Sequence, residues 1–171
     1  KTSVSFDNNV FSIEAAGADI WNVSDQFAFV NKRSSGDGFI SARIISQSKS
    51  HPWAKSGLMF REVATPQSPY VMICVTPENG VSLQWRDSAN GKSLSKIFPQ
   101  TILPVYLKLT RQGSTFTAYK SFDGIKWDML TEIILSKSFA SDYLAGMAVS
   151  SHDTQVLNLS TFDHVKTGKE N

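Results

Sequence analysis

Apolar and polar residues alternate along much of the chain in short runs, and residues typical of turns separate these runs. A period of two places successive side chains on opposite faces of an extended strand, and no stretch keeps apolar residues at helical spacing for three turns. The pattern predicts about a dozen strands, at 10–15, 26–31, 39–47, 53–63, 71–76, 81–86, 94–98, 106–112, 115–121, 127–134, 144–151 and 156–165. Short strands at such regular spacing are typical of a sandwich or a barrel, so we expect an all-β protein.

The predicted turns support the same interpretation. The glycine-rich segment 34–38 and the dipeptide Asn79-Gly80 each lie between two predicted strands, and glycine tolerates the positive φ that hairpin turns require. In a further hairpin we expect the Asp123 side chain to accept hydrogen bonds from turn amides and Trp127 to pack into the core.

The segment 53–63 has the clearest candidate for a functional face. As a strand, it would turn its small and apolar even-numbered side chains toward the core. Its odd-numbered face would then carry Trp53, Lys55 and Arg61, whose aromatic and charged side chains could bind a ligand. A helix is the competing interpretation, but a glycine in the middle of the segment and a proline just before it argue against one.

Length and composition predict one domain over 1–171, large enough to bury about 70% of the surface of its unfolded chain. Cys74 is the only cysteine and lies in an apolar run, so no intramolecular disulfide forms and the compartment is left open. A formal charge of +2, from 17 basic and 15 acidic residues, gives no reason to expect a nucleic-acid partner. No apolar run approaches the roughly 18 residues of a spanning helix, so we expect no membrane span.

The face of the 53–63 strand predicts carbohydrate binding. A sugar ring can pack on an indole, while guanidinium and amide groups bind hydroxyls or grip a carboxylate, which favours an acidic glycan such as a uronic or sialic acid. If neighbouring strands turn their polar side chains to this same face, the candidate ligand-binding residues are Trp53, Lys55, Arg61, Arg43, Gln84 and Arg86. The alternative is that they are solvated positions whose long stems cover apolar surface.

The candidates for a metal site are few, and we expect no cofactor. Asp19 and Asp25 could supply oxygen ligands to calcium, although the chain has no dense Asp-x-Asp-x-Asp loop and roles in capping and turns compete. The three histidines lie far apart in the sequence, which disfavours zinc. His152 follows a predicted strand and is expected in a loop, where binding residues are common.

The sequence does not favour an enzyme. Retaining glycoside hydrolases use two carboxylates about 5–5.5 Å apart, and no strand of this chain supplies such a pair. Glu62, next to Arg61, is the one glutamate on a plausible functional strand. A Gly-x-Ser-x-Gly motif and a phosphate-binding loop are also absent from the sequence.

Several motifs together resemble a known family. The chain is similar to the concanavalin A-like modules related to the regulation-of-enolase protein family, which are commonly appended to secreted bacterial carbohydrate-active and surface proteins. The resemblance spans nearly the whole chain, and its most specific part is Pro52-Trp53-Ala54-Lys55. The other matching motifs are Gly17-Ala18-Asp19-Ile20-Trp21, Asp25-Gln26-Phe27, Gly36-Asp37-Gly38, Ser56-Gly57-Leu58-Met59-Phe60-Arg61-Glu62, the Ser121 to Trp127 hairpin, Ala148-Val149-Ser150-Ser151-His152 and Thr161-Phe162-Asp163-His164-Val165.

The resemblance implies a jelly-roll of two curved antiparallel sheets, a concanavalin A-like β-sandwich with any ligand on the concave sheet or at its rim. The positions that match the family's motifs and could carry a role are Asp19, Trp21, Trp53, Lys55, Arg61, Glu62 and His152. Relatives often carry an aspartate before Pro-Trp where this chain has His51, a departure that argues against an oxygen-rich loop there.

We therefore expect a non-catalytic carbohydrate-binding or adhesion module, part of a larger carbohydrate-active or surface protein with an extracellular or periplasmic location. One alternative is a structural or protein-interaction module that binds no sugar. A second is a diverged glycoside hydrolase or lyase that uses residues around Glu62 and His152.

Overall fold

The computed structural model describes residues 1–169 and contains fifteen strands in that range. The strands are β1 (Thr2–Asp7), β2 (Val10–Gly17), β3 (Asp19–Trp21), β4 (Ser24–Gln26), β5 (Ala28–Ser35), β6 (Gly38–Gln47), β7 (Lys55–Arg61), β8 (Tyr70–Val75), β9 (Val81–Arg86), β10 (Leu94–Phe98), β11 (Val105–Gln112), β12 (Thr115–Ser121), β13 (Asp128–Ile134), β14 (Asp142–Ser150) and β15 (Asp153–Gly168).

Two large antiparallel sheets form a sandwich. The seven-stranded sheet has the order β1-β2-β15-β6-β11-β12-β13, and the six-stranded sheet has the order β10-β9-β8-β7-β14-β5. Among the strands of residues 1–169, the short strands β3 and β4 pair only with each other. The prediction of an all-β, two-sheet antiparallel sandwich is confirmed.

The main hydrophobic core lies between the two large sheets. Strand β7 contributes Leu58 and Phe60, while Ile40 and Ile44 come from β6 and Leu107 from β11. These positions alternate along their strands, so each strand turns one face to the core. Full burial of one such side chain contributes about 2 kcal/mol.

A second, smaller core lies on the other face of the six-stranded sheet. The β3-β4 hairpin covers this face, and its Ile20 packs against Met59, Met72 and Cys74. As a result β7 and β8 are buried on both faces. Burial raises the pKa of the Cys74 thiol to about 12, so the thiol stays protonated and unreactive at neutral pH.

The sequence pattern missed three strands. Strand β1 is exposed along its whole length and pairs with β2 at the edge of its sheet, although Val4 and Phe6 alternate with polar residues in its sequence. Strands β3 and β4 have three residues each, which is too short for a period to be recognised. Strand β7 begins at Lys55 rather than Trp53, because the Ala54 amide donates to the His51 carbonyl oxygen at 3.0 Å and closes a turn.

The predicted turns are largely confirmed. Gly36 and Gly80 have φ values of 65° and 79°, a conformation that glycine adopts without strain. The Asp123 carboxylate accepts hydrogen bonds from the Ile125 and Lys126 amides at 2.8 and 2.9 Å, and these bonds lower the pKa of Asp123.

The placement predicted for Trp127 is wrong. Its side chain does not enter the core but lies on the outer face of the seven-stranded sheet, with its ring 6.3 Å from that of Tyr106. Tyr106 alternates along β11 with Val105 and Leu107, which face the core, and it therefore points outward. Within the described range, no helix is long and apolar enough to cross a membrane.

Candidate functional site

The outer face of the six-stranded sheet contains the odd-numbered side chains of β7, and the β3-β4 hairpin covers it unevenly. The hairpin closes the face around Arg61 and over the middle of the sheet. Around Lys55, at the other end of β7, a cavity of about 290 Å³ remains. The alternation predicted for this strand is therefore present, but most of its odd-numbered face is interior.

Asp25 forms a buried ion-pair cluster at the Arg61 end of this sheet face. Its carboxylate accepts from Arg61 Nη1 at 2.8 Å and from Arg86 Nη1 and Nη2 at 2.7 and 2.8 Å. The Arg61 and Arg86 guanidinium groups also lie 5.7 and 5.0 Å from the centre of the Tyr70 ring. Burial lowers the pKa of Arg61, and the hydrogen bond to Asp25 opposes that effect.

These contacts correct the prediction that Arg61 and Arg86 bind a ligand. Both side chains are buried, at 1% and 0% exposure, and their charges are balanced by Asp25 inside the protein. Gln84 lies between the two ends of the face. Its amide nitrogen is already used, because it donates to the Ile20 carbonyl oxygen at 2.6 Å and to the Tyr70 hydroxyl at 2.9 Å.

The open end combines aromatic, charged and hydroxyl groups. Two tryptophans contribute apolar ring surface, an aspartate and a lysine contribute charge, a histidine contributes an imidazole, and two serines contribute hydroxyls. The cavity is lined by Asp19, Trp21, Trp53, Lys55, Ser82, Gln84, Ser95, Ile97 and His152.

A turn before β7 positions Trp53. Its backbone amide donates to His51 Nδ1 at 3.0 Å, and the carbonyl oxygen of Pro52 accepts from the Asn79 side chain at 2.9 Å. The turn is thus tied to the loop between β8 and β9. The Trp53 side chain itself remains 37% exposed, so its ring is available to a ligand.

Asp19 organises the polar wall of the cavity. One carboxylate oxygen pairs with the Lys55 ammonium and accepts from the Ile20 amide at 2.7 Å. The other lies 3.2 Å from His152 Nε2. Lys55 is 3% exposed, and its ammonium lies 5.9 Å from the centre of the Trp21 ring.

These partners leave little support for calcium. Asp19 is paired with Lys55 and Asp25 with two arginines, so both carboxylates face cationic side chains rather than further oxygen ligands. Among residues 1–169, no group of three or more His, Cys, Asp or Glu side chains is arranged to hold a metal ion.

His152 lies in the connection between β14 and β15, as the sequence predicted. Its φ of 62° is left-handed, and its ring stacks on that of His51 with centroids 4.1 Å apart. The stack joins the turn that carries Trp53 to the loop that carries His152. The two histidines therefore help to fix the rim of the cavity.

Two predicted site residues lie elsewhere. Arg43 projects from the outer face of the opposite sheet, where Nε donates to Asp163 at 2.7 Å and lowers the pKa of that carboxyl group. Glu62 accepts from the Ala140 amide at 2.8 Å and lines a shallow concavity at the far end of β14. Neither residue can contribute to the cavity, which corrects the prediction for both.

Several cavity residues were not predicted to bind a ligand from their own chemistry. Trp21 entered only as a motif position, and Asp19 only as a motif position and a metal candidate, yet the two alternate with buried Ile20 and line the same cavity. That alternation was a usable signal. No feature of the sequence points to Ser95 and Ile97 as cavity residues, because only the pairing of β10 with β9 places them beside Gln84 and Ser82.

No protein-family model and none of the curated proteins matches the chain. Solved structures do match its fold. A functionally unknown protein from Saccharomyces cerevisiae is 15% identical, with a TM-score of 0.77, and the match covers 99% of this chain and 92% of that one. Carbohydrate binding module CBM66 from Bacillus subtilis is 13% identical, with a TM-score of 0.63, over 99% of this chain and 92% of that one.

The GH43 BlXynB protein from Bacillus licheniformis is also similar, at 12% identity and a TM-score of 0.66. That match covers 94% of this chain but 33% of the other, so the chain corresponds to about a third of that protein. At these identities the likeness is one of fold. The fold is a concanavalin A-like jelly-roll β-sandwich.

Proposed function

We propose that this protein is a non-catalytic carbohydrate-binding module whose cavity at the Lys55 end of the six-stranded sheet binds a neutral sugar. The observation that carries the proposal is the placement of Trp21 and Trp53 around the ion pair of Asp19 and Lys55 in one open cavity. The fold likeness to a carbohydrate binding module supports it.

The chemistry of the cavity suits a sugar. An indole offers an apolar face to the C–H groups of a pyranose or furanose ring, and Trp53 is exposed enough to do so. The Asp19 carboxylate accepts hydrogen bonds from hydroxyls, while Lys55 and His152 can donate them. The volume of about 290 Å³ is at the small end for ligand sites, which favours a short stretch or the end of a glycan.

Charge balance favours a neutral sugar over an acidic one. The acidic preference was expected from Arg61 and Arg86, but both arginines are neutralised by Asp25 away from the cavity. Within the cavity, Lys55 is neutralised by Asp19. An incoming carboxylate would meet Asp19 without a free guanidinium to compensate.

Binding is proposed rather than hydrolysis because the cavity lining, as described, contains one carboxylate, Asp19. The two residues of the hydrolase alternative also lie apart. Glu62 follows the end of β7 that pairs with Leu144, and His152 follows Ser150 at the other end of β14. At about 3.4 Å per residue, roughly 20 Å or more separates them.

The location and the family are further parts of this proposal. We propose an extracellular or periplasmic location, because a module that binds polysaccharide meets its ligand there. The finer resemblance to modules related to the regulation-of-enolase family rests on the short motifs around Trp53 and Asp19.

A glycan array followed by calorimetric titration of the best neutral ligand tests the proposal. We expect Trp53→Ala to weaken binding by about 2 kcal/mol, because the substitution removes a ring that stacks on the sugar. Trp127→Ala is the matched control, since it removes a tryptophan from the opposite sheet, and it should leave this affinity unchanged.

Equal affinity in the wild-type protein and in folded Trp53→Ala would reject the cavity as the site. An array without any bound glycan, together with a specific protein partner, would instead support the structural or protein-interaction alternative.

A further inference from the structure

The outer face of the seven-stranded sheet carries a row of groups unrelated to the cavity. Strand pairing places Lys166 opposite Ser41, Ser41 opposite Lys108, and Lys108 opposite Tyr119. Directly paired residues of antiparallel strands project from the same face, so these side chains form one continuous row across four strands.

Aromatic rings hold Lys108 in this row. Its ammonium lies 4.6 Å from the centre of the Tyr119 ring and 4.8 Å from that of Trp127. A cation–π contact positions an ammonium group without cancelling its charge, unlike an ion pair. Within residues 1–169, neither Lys108 nor Lys166 forms a salt bridge.

Three residues of this row, Ser41, Lys108 and Lys166, line an open groove of about 490 Å³. Three lysines line it, Lys108, Lys166 and Lys169, together with the rings of Phe39 and Trp127, and the described lining contains no carboxylate. The groove is therefore cationic and partly aromatic, whereas the protein as a whole has a formal charge of only +2.

Two carboxylates on the outer face of this sheet have partners of their own. Asp163 pairs with Arg43 and lies 3.0 Å from His164 Nδ1. Glu132 lies one row away, opposite Thr117, whose hydroxyl is 3.4 Å from it. Neither is placed to neutralise Lys108 or Lys166.

We propose that this groove binds an acidic polysaccharide, with the lysine ammonium groups on its sulfate or carboxylate groups and Trp127 beside a sugar ring. An open groove suits a polymer rather than a small molecule, and separated point charges suit anions repeated along a chain. Three lysines are a small footprint for nucleic acid, and a concave groove fits a flat lipid surface poorly.

The test is titration with dextran sulfate and with polygalacturonate, which separate sulfate from carboxylate recognition, and with neutral dextran. We expect wild-type protein to bind at least one polyanion through this groove, and any binding of dextran to be independent of Lys108 and Lys166. Lys108→Gln combined with Lys166→Gln should weaken that binding roughly threefold to thirtyfold, because two exposed ion pairs are lost.

Lys49→Gln combined with Lys137→Gln is the matched control, because it removes the same charge from exposed positions outside the groove. An equal loss in both double variants, or no loss in the groove variant, would overturn the proposal. So would binding to anionic phosphatidylserine vesicles or to single-stranded DNA that depends on Lys108 and Lys166, without polysaccharide binding.

The result is independent of the proposed cavity function. Trp53→Ala should leave polyanion binding unchanged, and the groove variant should leave neutral-sugar binding unchanged. Failure of either proposal is therefore distinguishable from failure of the other.

Discussion

Asp25→Asn should lower the free energy of unfolding by about 3–5 kcal/mol, because it leaves two buried guanidinium groups without an anion. Guanidinium groups stay charged in proteins, so a buried one without an anion carries the full cost of burial. The asparagine side chain keeps one acceptor oxygen but removes the negative charge. Urea unfolding followed by tryptophan fluorescence measures the change.

Asp128→Asn is the matched control, since Asp128 is exposed in β13 and undergoes the same chemical change. It should alter stability by no more than about 0.5 kcal/mol. A loss below about 1 kcal/mol in Asp25→Asn would contradict the central structural role given to this carboxylate.

Gly57→Ala should destabilise the protein by about 3 kcal/mol or more, or prevent soluble expression. A Cβ at this position would lie 2.0 Å from the Ile73 carbonyl oxygen and 2.6 Å from the Cys74 Cα. Both are backbone atoms of the neighbouring strand, so relief requires β7 and β8 to separate. The unfolding midpoint in urea checks the expectation.

Gly113→Ala gives the comparison. A Cβ there would meet no described residue within 4 Å, but the φ of +61° is left-handed. Its cost should therefore be limited to about 1–2 kcal/mol of backbone strain. Equal stability of Gly57→Ala and the wild-type protein would show that the two strands do not approach as closely as described.

The alternation of β7 was readable from sequence because its period is local. Leu58 and Phe60 enter the main core as predicted. The local pattern of β7 does not predict which element covers its opposite face, because the covering hairpin lies more than 25 residues earlier in the chain. A signal existed nonetheless: Met59 is apolar on the face expected to be exposed, and it packs against Ile20.

The candidate site was partly predictable for the same reason. Trp53, Lys55 and His152 were proposed from sequence and lie together on the cavity. The same alternation predicts Arg61 as a site residue, but its side chain is buried. A period of two predicts the face of the sheet on which a side chain lies and does not predict whether another element covers that face. The prediction for Arg43 assumes that its strand lies beside β7 and turns the same face outward, but that strand belongs to the other sheet.

The most direct test of the central claim is a crystal structure of the protein with the best neutral glycan from the array. We expect a sugar ring against Trp21 or Trp53, with hydroxyls bonded to Asp19 or Lys55 and with the Asp25 cluster intact. A sugar bound only outside this cavity, or bound to Arg61 after displacement of the β3-β4 hairpin, would contradict the claim.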